Sequence, residues 1–244
     1  NKKKKKLILS RDLLGERHLF FSIKDGIVYF ASEPLPIIYQ LKNINLEIDN
    51  DSIVTAMFFN ASSPEKTLIK GINKLKPGYN LIFEVKKNPK EVLFNKLHPE
   101  KWLDFYLENP KHNDVFKKFN EIATESFQLR VPKDVPYTSS LSGGLDSAII
   151  AMYLTNFGKK KIDTIFLNDF GGVYDNYEAS LLDERGSANF TSKKLGTKHE
   201  IIKYNHEENK KAFLNESENA FDCMFDCSFI AYRTLANAIK KKKK

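Results

Sequence analysis

Between residues 140 and 150 the chain reads SLSGGLDSAII, and this stretch constrains the fold more than any other. Apolar residues flank a centre of two glycines, two serines and an aspartate. The flanks predict a buried strand, VPYTSSL, and an apolar helix, with a loop between them. Further along the chain the alternation repeats. KKIDTIFLN predicts a second buried strand, DERGSANFTSKKLG a helix closed by Gly196, and KHEIIKYN a third strand. Strands alternating with helices predict an α/β unit, a parallel sheet wound with helices. Upstream, DVFKKFNEIATESFQLRV sets Val115, Phe116, Phe119, Ile122, Ala123 and Phe127 at spacings of three and four, an amphipathic helix.

A loop that leaves the carboxyl end of a parallel strand and opens a helix suits an anion. The helix start carries free N–H groups and partial positive charge. Gly143 and Gly144 let the backbone approach the anion with no Cβ in the way. Ser142 and Ser147 add hydroxyl donors. Asp146 would repel a phosphate unless a divalent cation bridges the two, or unless it orients the loop's own N–H groups. Two other phosphate loops are excluded. The chain has neither Gly-x-x-x-x-Gly-Lys-Ser/Thr nor Gly-x-Gly-x-x-Gly.

The first hundred residues read differently. LILS, LFFSI and IVYFAS predict strands, with KDG as a hairpin turn that uses Gly26. EPLPIIYQL predicts a short helix with Pro34 in its first turn. DNDSIVTAMFFN has an Asp or Asn placed to cap a second helix, and KLKPGYNLIFEV reads as a Pro-Gly turn into a strand. This part is α+β. Pro99 and Pro110 interrupt the next stretch, so residues 99–112 read as a linker between residues 1–98 and residues 113–244.

The net charge of +8 suggests a nucleic-acid partner until its source is located. Ten lysines sit in two runs, Lys2–Lys6 and Lys240–Lys244. Without them 29 basic residues face 31 acidic ones, so no basic patch lies in the body, and the runs read as solvated tails. Nucleic acid and membrane are not expected partners, since no apolar run approaches a membrane span. Cys223 and Cys227 lie four apart. A zinc site needs about four ligands and no second pair exists, so they read as reduced thiols of a cytoplasmic protein.

SGGLDS resembles the pyrophosphate-loop signature of the ATP pyrophosphatases, which cleave ATP between its α and β phosphates. Its neighbours are similar to the glutamine-hydrolysing asparagine synthetases. Arg11, Asp12, Gly15, Leu19 and then Phe30, Ala31, Ser32 and Glu33 match the end of that family's glutaminase domain, with His18 in place of a proline. Pro64, Thr67, Gly71, Ile72, Leu75, Pro77 and Gly78 match a second segment. Leu195, Gly196, Thr197 and His199 match a third. The resemblance starts late in the glutaminase domain, without that family's N-terminal cysteine, and stops before its second phosphate loop. The expectation is a chain cut at both ends, with no route to release ammonia from glutamine.

The resemblance implies a pyrophosphate-loop domain of the adenine nucleotide alpha hydrolase type, preceded by the last part of an Ntn-hydrolase-like glutaminase domain. It implies ATP and Mg2+ as cofactors. A carboxylate substrate, aspartate favoured, is adenylated and then attacked by ammonia or an amine. Ser142, Gly143, Gly144 and Ser147 would cradle pyrophosphate, and Asp146 would hold magnesium. Leu141 and Leu167 would flank adenine or ribose. Asp146 and Glu184 are the catalytic candidates, with Glu184 open to a second reading as a solvated helix-start residue. His199 is open to a catalytic or a structural role, the structural one favoured by its place at the start of a strand. Tyr174 and Tyr177 lie in a loop that faces substrate or only solvent. A homodimer stays open as the assembly. Two other functions stay open: an intramolecular amide synthetase like the lasso-peptide cyclases or β-lactam synthetases, and a non-catalytic nucleotide-binding protein. A tRNA-modifying enzyme is disfavoured by the near-neutral body.

Overall fold

A computed structural model describes residues 1, 3, 5–41, 46–59, 63–108, 111–157, 162–168, 184–203, 205–217 and 228–242. Tyr174, Tyr177, Cys223 and Cys227 lie outside the described residues. The chain divides into two compact units. One holds Asn1–Trp102 with Leu214–Asp226, the other Leu103–Phe213 with Cys227–Lys244.

Among its described residues the first unit has six strands in two sheets. These are β1 (Lys6–Ser10), β2 (Phe20–Lys24), β3 (Ile27–Ala31), β4 (Asn73–Lys74), β5 (Tyr79–Glu84) and β6 (Lys90–Leu93). Both sheets are antiparallel, in the orders β1-β5-β6 and β3-β2-β4. The β2–β3 turn is Asp25-Gly26, both at positive φ (51° and 74°), the backbone that matches the twist of a two-residue hairpin. Successive strand residues face opposite ways, and β2 uses this fully. Phe20 joins Ile37, Ile38, Leu41, Ile69 and Ile72, while Phe21 joins Leu9, Leu75 and Leu81. Helix α1 (Pro34–Gln40) starts on Pro34, whose missing N–H is not needed there. Helix α2 (Asn50–Phe59) is capped by Asp49, whose Oδ1 accepts the Ser52 N–H at 2.8 Å.

The second unit contains α4 (His112–Arg130), β7 (Thr138–Ser140), α5 (Leu145–Phe157), β8 (Asp163–Asn168), α6 (Arg185–Leu195), β9 (Lys198–Lys203), the part of α7 (His206–Ser217) up to Phe213, and α8 (Ser228–Lys242). The three strands form a parallel sheet in the order β7-β8-β9. Its core packs Leu141, Ala151 and Ala188 together, with Ala148, Phe166 and Leu195 against them. Helices α4 and α5 meet through the Phe127 and Tyr153 rings, stacked at 4.5 Å, and through the Tyr153 hydroxyl, which donates to Asn120 Oδ1 at 2.5 Å.

Three expectations need correcting. Residues 99–108 of the expected linker form a helix, α3 (Pro99–Glu108). Pro99 begins it, a position where proline is tolerated, and a proline there marks a start rather than a break. The lysine runs are not tails throughout. Lys6 lies in β1 and pairs with Glu84 at 2.6 Å, and Lys240–Lys242 extend α8, where lysine favours helix and suits the negative helix end. Finally, the strand before the loop is not apolar. It is Thr138-Ser139-Ser140, and only Leu141 beyond it is an apolar core residue. Among the described residues no helix is long and apolar enough to cross a membrane.

Candidate active site

The loop from Leu141 to Leu145 joins the carboxyl end of β7 to the first turn of α5. Leu141 anchors it. Its N–H donates to the Ile165 carbonyl of β8 at 2.8 Å, and its side chain is completely buried. The two serines then close the loop on itself. Ser147 Oγ donates to the Gly144 carbonyl at 2.9 Å and accepts the Ser142 N–H at 3.1 Å. The two hydroxyls lie 3.0 Å apart, and Ser142 Oγ accepts the Gly144 N–H at 3.4 Å. These bonds hold the loop before any ligand arrives, which lowers the entropy lost on binding.

The loop's other N–H groups are unspent. Those of Gly143, Leu145, Asp146 and Ser147 have no hydrogen-bond partner among the described residues. A helix start leaves such donors by construction, and they suit an anion. Gly143 has φ +93°, a backbone that side-chain-bearing residues rarely adopt. A Cβ there would also collide with the Glu184 carbonyl, and would lie 2.9 Å from the Glu184 Cβ and 3.2 Å from the Ala188 nitrogen. Gly144 differs, because a Cβ there would meet only Ser142 Oγ at 3.5 Å. So Gly143 is required by the fold, while Gly144 keeps the surface open.

Glu184 is brought to the loop by this contact. It precedes α6, and its carbonyl accepts the Ala188 N–H at 2.9 Å while its backbone covers Gly143. Both Glu184 and Asp146 are exposed, and Asp146 stands in the first turn of α5. No cluster of three or more His, Cys, Asp or Glu able to hold a metal occurs among the described residues. A single carboxylate is still compatible with magnesium, which commonly takes one or two carboxylates plus phosphate oxygens and water. Leu167 lies half-buried near the end of β8. Leu141's side chain is committed to the core, so a nucleotide could meet only its backbone.

His199 is not brought to the loop. It pairs with Thr164 near the start of β8, one residue before Ile165, whose carbonyl holds the Leu141 N–H. Its Nδ1 lies 3.0 Å from Thr164 Oγ1, and burial pushes its pKa below the usual 6.5. Thr164, Ser192 and Ser139, which lie near this position, are not singled out by the sequence, and Thr197 is named there only as a motif match. The serine-threonine run YTSSL in an expected buried strand was the available signal.

In the first unit the motif residues build structure. The Arg11 guanidinium is buried and donates to the carbonyls of Leu75 (2.7 Å), Gly15 (3.1 Å) and Arg17 (3.1 Å). Its Nη2 also meets His18 Nδ1 at 3.1 Å. Arginine cannot accept, so His18 accepts here through Nδ1. Asp12 accepts the N–H groups of Glu16, Leu14 and Arg17, and these bonds, Glu16's first, hold its carboxyl below the usual range.

Comparison with known proteins matches two stretches of the chain. Residues 118–243 match the family described as asparagine synthase, and residues 1–94 match the glutamine amidotransferase domain family. A Methanocaldococcus jannaschii protein provisionally named as glutamine-hydrolyzing asparagine synthetase 2 is 27% identical over 183 residues, covering 72% of this chain and 33% of that one. Asparagine synthetase (glutamine-hydrolyzing) 1 of Bacillus subtilis is 27% identical over 157 residues, 64% of this chain and 24% of that one. Asparagine synthetase (glutamine-hydrolyzing) 3 of the same organism is 27% identical over 166 residues, 66% of this chain and 25% of that one. The matches thus span a quarter to a third of the length of these relatives. A glycine-serine loop at a strand–helix junction of a parallel α/β unit, preceded in the chain by a stretch that matches the amidotransferase domain, defines the class. The chain belongs to the asparagine synthase family.

Proposed function

We propose that the chain carries the nucleotide-activating part of an ATP-dependent amide-forming ligase that makes asparagine from aspartate. The observation that carries this reading is the loop of residues 142–147. Its hydroxyls are self-bonded, four of its N–H groups have no partner among the described residues, and it sits at the carboxyl end of a parallel sheet, where open α/β sheets bind ligands. The unit has the pyrophosphate-loop fold, and the first unit is the later part of an Ntn-type glutaminase domain.

The chemistry divides a difficult substitution into two steps. A carboxylate oxygen bonds to the α-phosphorus of ATP as the bond to the β-phosphate bridging oxygen breaks, and pyrophosphate leaves. The amine nitrogen then attacks the activated acyl carbon, loses a proton, and AMP departs. In the first step, charge builds on the departing pyrophosphate. The unspent N–H groups of Gly143, Leu145, Asp146 and Ser147, on a loop already held by its own hydrogen bonds, would stabilise that charge. Ser142 and Ser147 fix the loop's shape through their own hydrogen bonds, Gly144 keeps the approach clear, and Asp146 would hold Mg2+. Magnesium would neutralise phosphate charge. Leu167 and the Leu141 backbone border the nucleoside, and Glu184 stands beside the loop to receive the amine's proton.

The test is release of AMP and pyrophosphate from ATP and magnesium, with aspartate and ammonia present and then each omitted. Aspartate-dependent AMP release with asparagine formed is the expected result. ATP binding with no AMP under any combination would overturn the ligase reading and leave a nucleotide-binding protein.

A further inference from the structure

Ser139, Thr164 and His199 stand side by side across the three parallel strands. Ser139 pairs with Thr164, and Thr164 pairs with His199. Directly paired residues present their side chains to one face of a sheet. Parallel sheets are normally apolar there, yet this row is Ser-Thr-His, with Ser139 and Thr164 buried. The row continues off the sheet. Thr164 Oγ1 lies 2.9 Å from Thr197 Oγ1, which lies 2.8 Å from the buried Ser192 Oγ of α6. Ser192 Oγ also donates to the Thr197 carbonyl at 3.3 Å. At the far end of the row, His199 Nε2 is buried with no hydrogen-bond partner among the described residues. A buried polar chain with an orphan atom is costly as packing alone.

Helix α6 links this row to the phosphate loop. Ser192 lies in its last turn. Its first turn, entered through Glu184, packs on Gly143 so closely that a Cβ has no room. A helix of 11 residues is a rigid rod of about 16 Å. Turning or lifting its Ser192 end therefore moves the Glu184 carbonyl against Gly143. Strand β7 gives a second route, since Ser139 precedes Ser142 by three residues. The row thus reaches the loop from both sides while touching no atom that a phosphate could touch.

We propose that Thr164, His199, Thr197 and Ser192 are positioning residues: they fix α6 against the sheet and so set how tightly the loop holds a pyrophosphate group. This inference rests on the reading of the loop as a pyrophosphate site. Thr164 is its centre, because His199 and Thr197 share its one hydroxyl. Thr164→Val keeps the shape and removes that hydroxyl, while Thr164→Ser keeps the hydroxyl and removes a methyl.

The experiment titrates inorganic pyrophosphate with magnesium into the 244-residue chain by calorimetry, well below its melting temperature. The unsubstituted chain, Gly143→Ala, Thr164→Val and Thr164→Ser are compared. The expected result is binding by the unsubstituted chain, loss in Gly143→Ala, weakening of about tenfold in Thr164→Val and recovery in Thr164→Ser. Ser192→Ala breaks the same chain of hydroxyls from α6 and replaces Thr164→Val if that variant does not fold. Lower melting temperatures with unchanged affinity in both Thr164→Val and Ser192→Ala would overturn the inference and leave the loop reading standing. No pyrophosphate binding by the unsubstituted chain would overturn the loop reading and this inference with it.

Discussion

Arg11 and Ser142 each anchor a motif-bearing loop, one in each unit, and the two loops use their polar groups in opposite ways. In the first unit the Arg11 guanidinium is spent on three carbonyls and His18, and the Asp12 carboxylate on three N–H groups. In the second unit the Ser142 and Ser147 hydroxyls turn inward, leaving four backbone N–H groups without partners among the described residues. Buried polar groups that satisfy one another hold a fold together. A row of donors left open at a helix start is free to bind. The same criterion, where each donor ends, separates scaffold from site in a chain whose motifs look equally distinctive in the sequence.

That contrast can be broken at its strongest point with Asp146. Asp146→Ala should reduce AMP release about 100- to 1,000-fold. It should change stability by less than about 1 kcal/mol, because the side chain is exposed and interacts mainly with the helix start. Kinetics and melting measured on one preparation check both halves. A large loss of stability would place Asp146 with the scaffold.

The two glycines of the loop sharpen the same contrast. Gly143→Ala combines a positive-φ strain with a collision against Glu184, and should cost about 3 kcal/mol or more in urea unfolding. Gly144→Ala meets only ordinary contact and should cost less than about 1 kcal/mol. Equal costs would contradict the packing of α6 on the loop.

Arg11→Ala should destabilise the first unit by about 2–3 kcal/mol, since it strands buried carbonyls. Arg11→Lys should not restore it, because an ammonium cannot reach three carbonyls in a fork. Pyrophosphate affinity should be unchanged in both, and a parallel loss of affinity would erase the distinction between the units.

Two pH effects come last. Burial keeps His199 neutral in the folded chain, with a pKa below 6.5. Above that value the group is neutral folded or unfolded. As pH falls below it the unfolded chain takes the proton first, so stability declines. Melting curves between pH 5 and 8 should show this decline, reduced in His199→Gln. Glu84 behaves otherwise. Hydrogen bonds from Lys6 and Lys87 hold its pKa to about 2. Its partly exposed pairs contribute in full above the ordinary carboxylate pKa and are lost as pH falls from there toward about 2, and such surface pairs are weak, so Glu84→Gln should shift melting little at pH 7.

Much of this was legible locally. The Asp25-Gly26 hairpin, the Pro34 start, the Gly196 stop and the 3.6-residue period of α4 all obey short-range rules, and each appears at its expected position. The loop's residue types were equally legible, since glycines and hydroxyls at a strand–helix junction carry their chemistry in the sequence. Pro99 misled because the same residue opens helices and ends them, and only the turns after it decide which.

By itself the sequence determined most of the turns, the strand–loop–helix order around Gly143 and several elements, though not α3, because these depend on residues within one or two helical turns of each other. Tertiary structure alone decided the rest. That Glu184, 41 residues beyond Gly143, would cover it results from α6 packing on the sheet. That Ser139, Thr164 and His199 would form one row results from strand register, which shifts every side chain to the other face if it slips by one residue. Register and packing are set by long-range burial, and no local pattern encodes them.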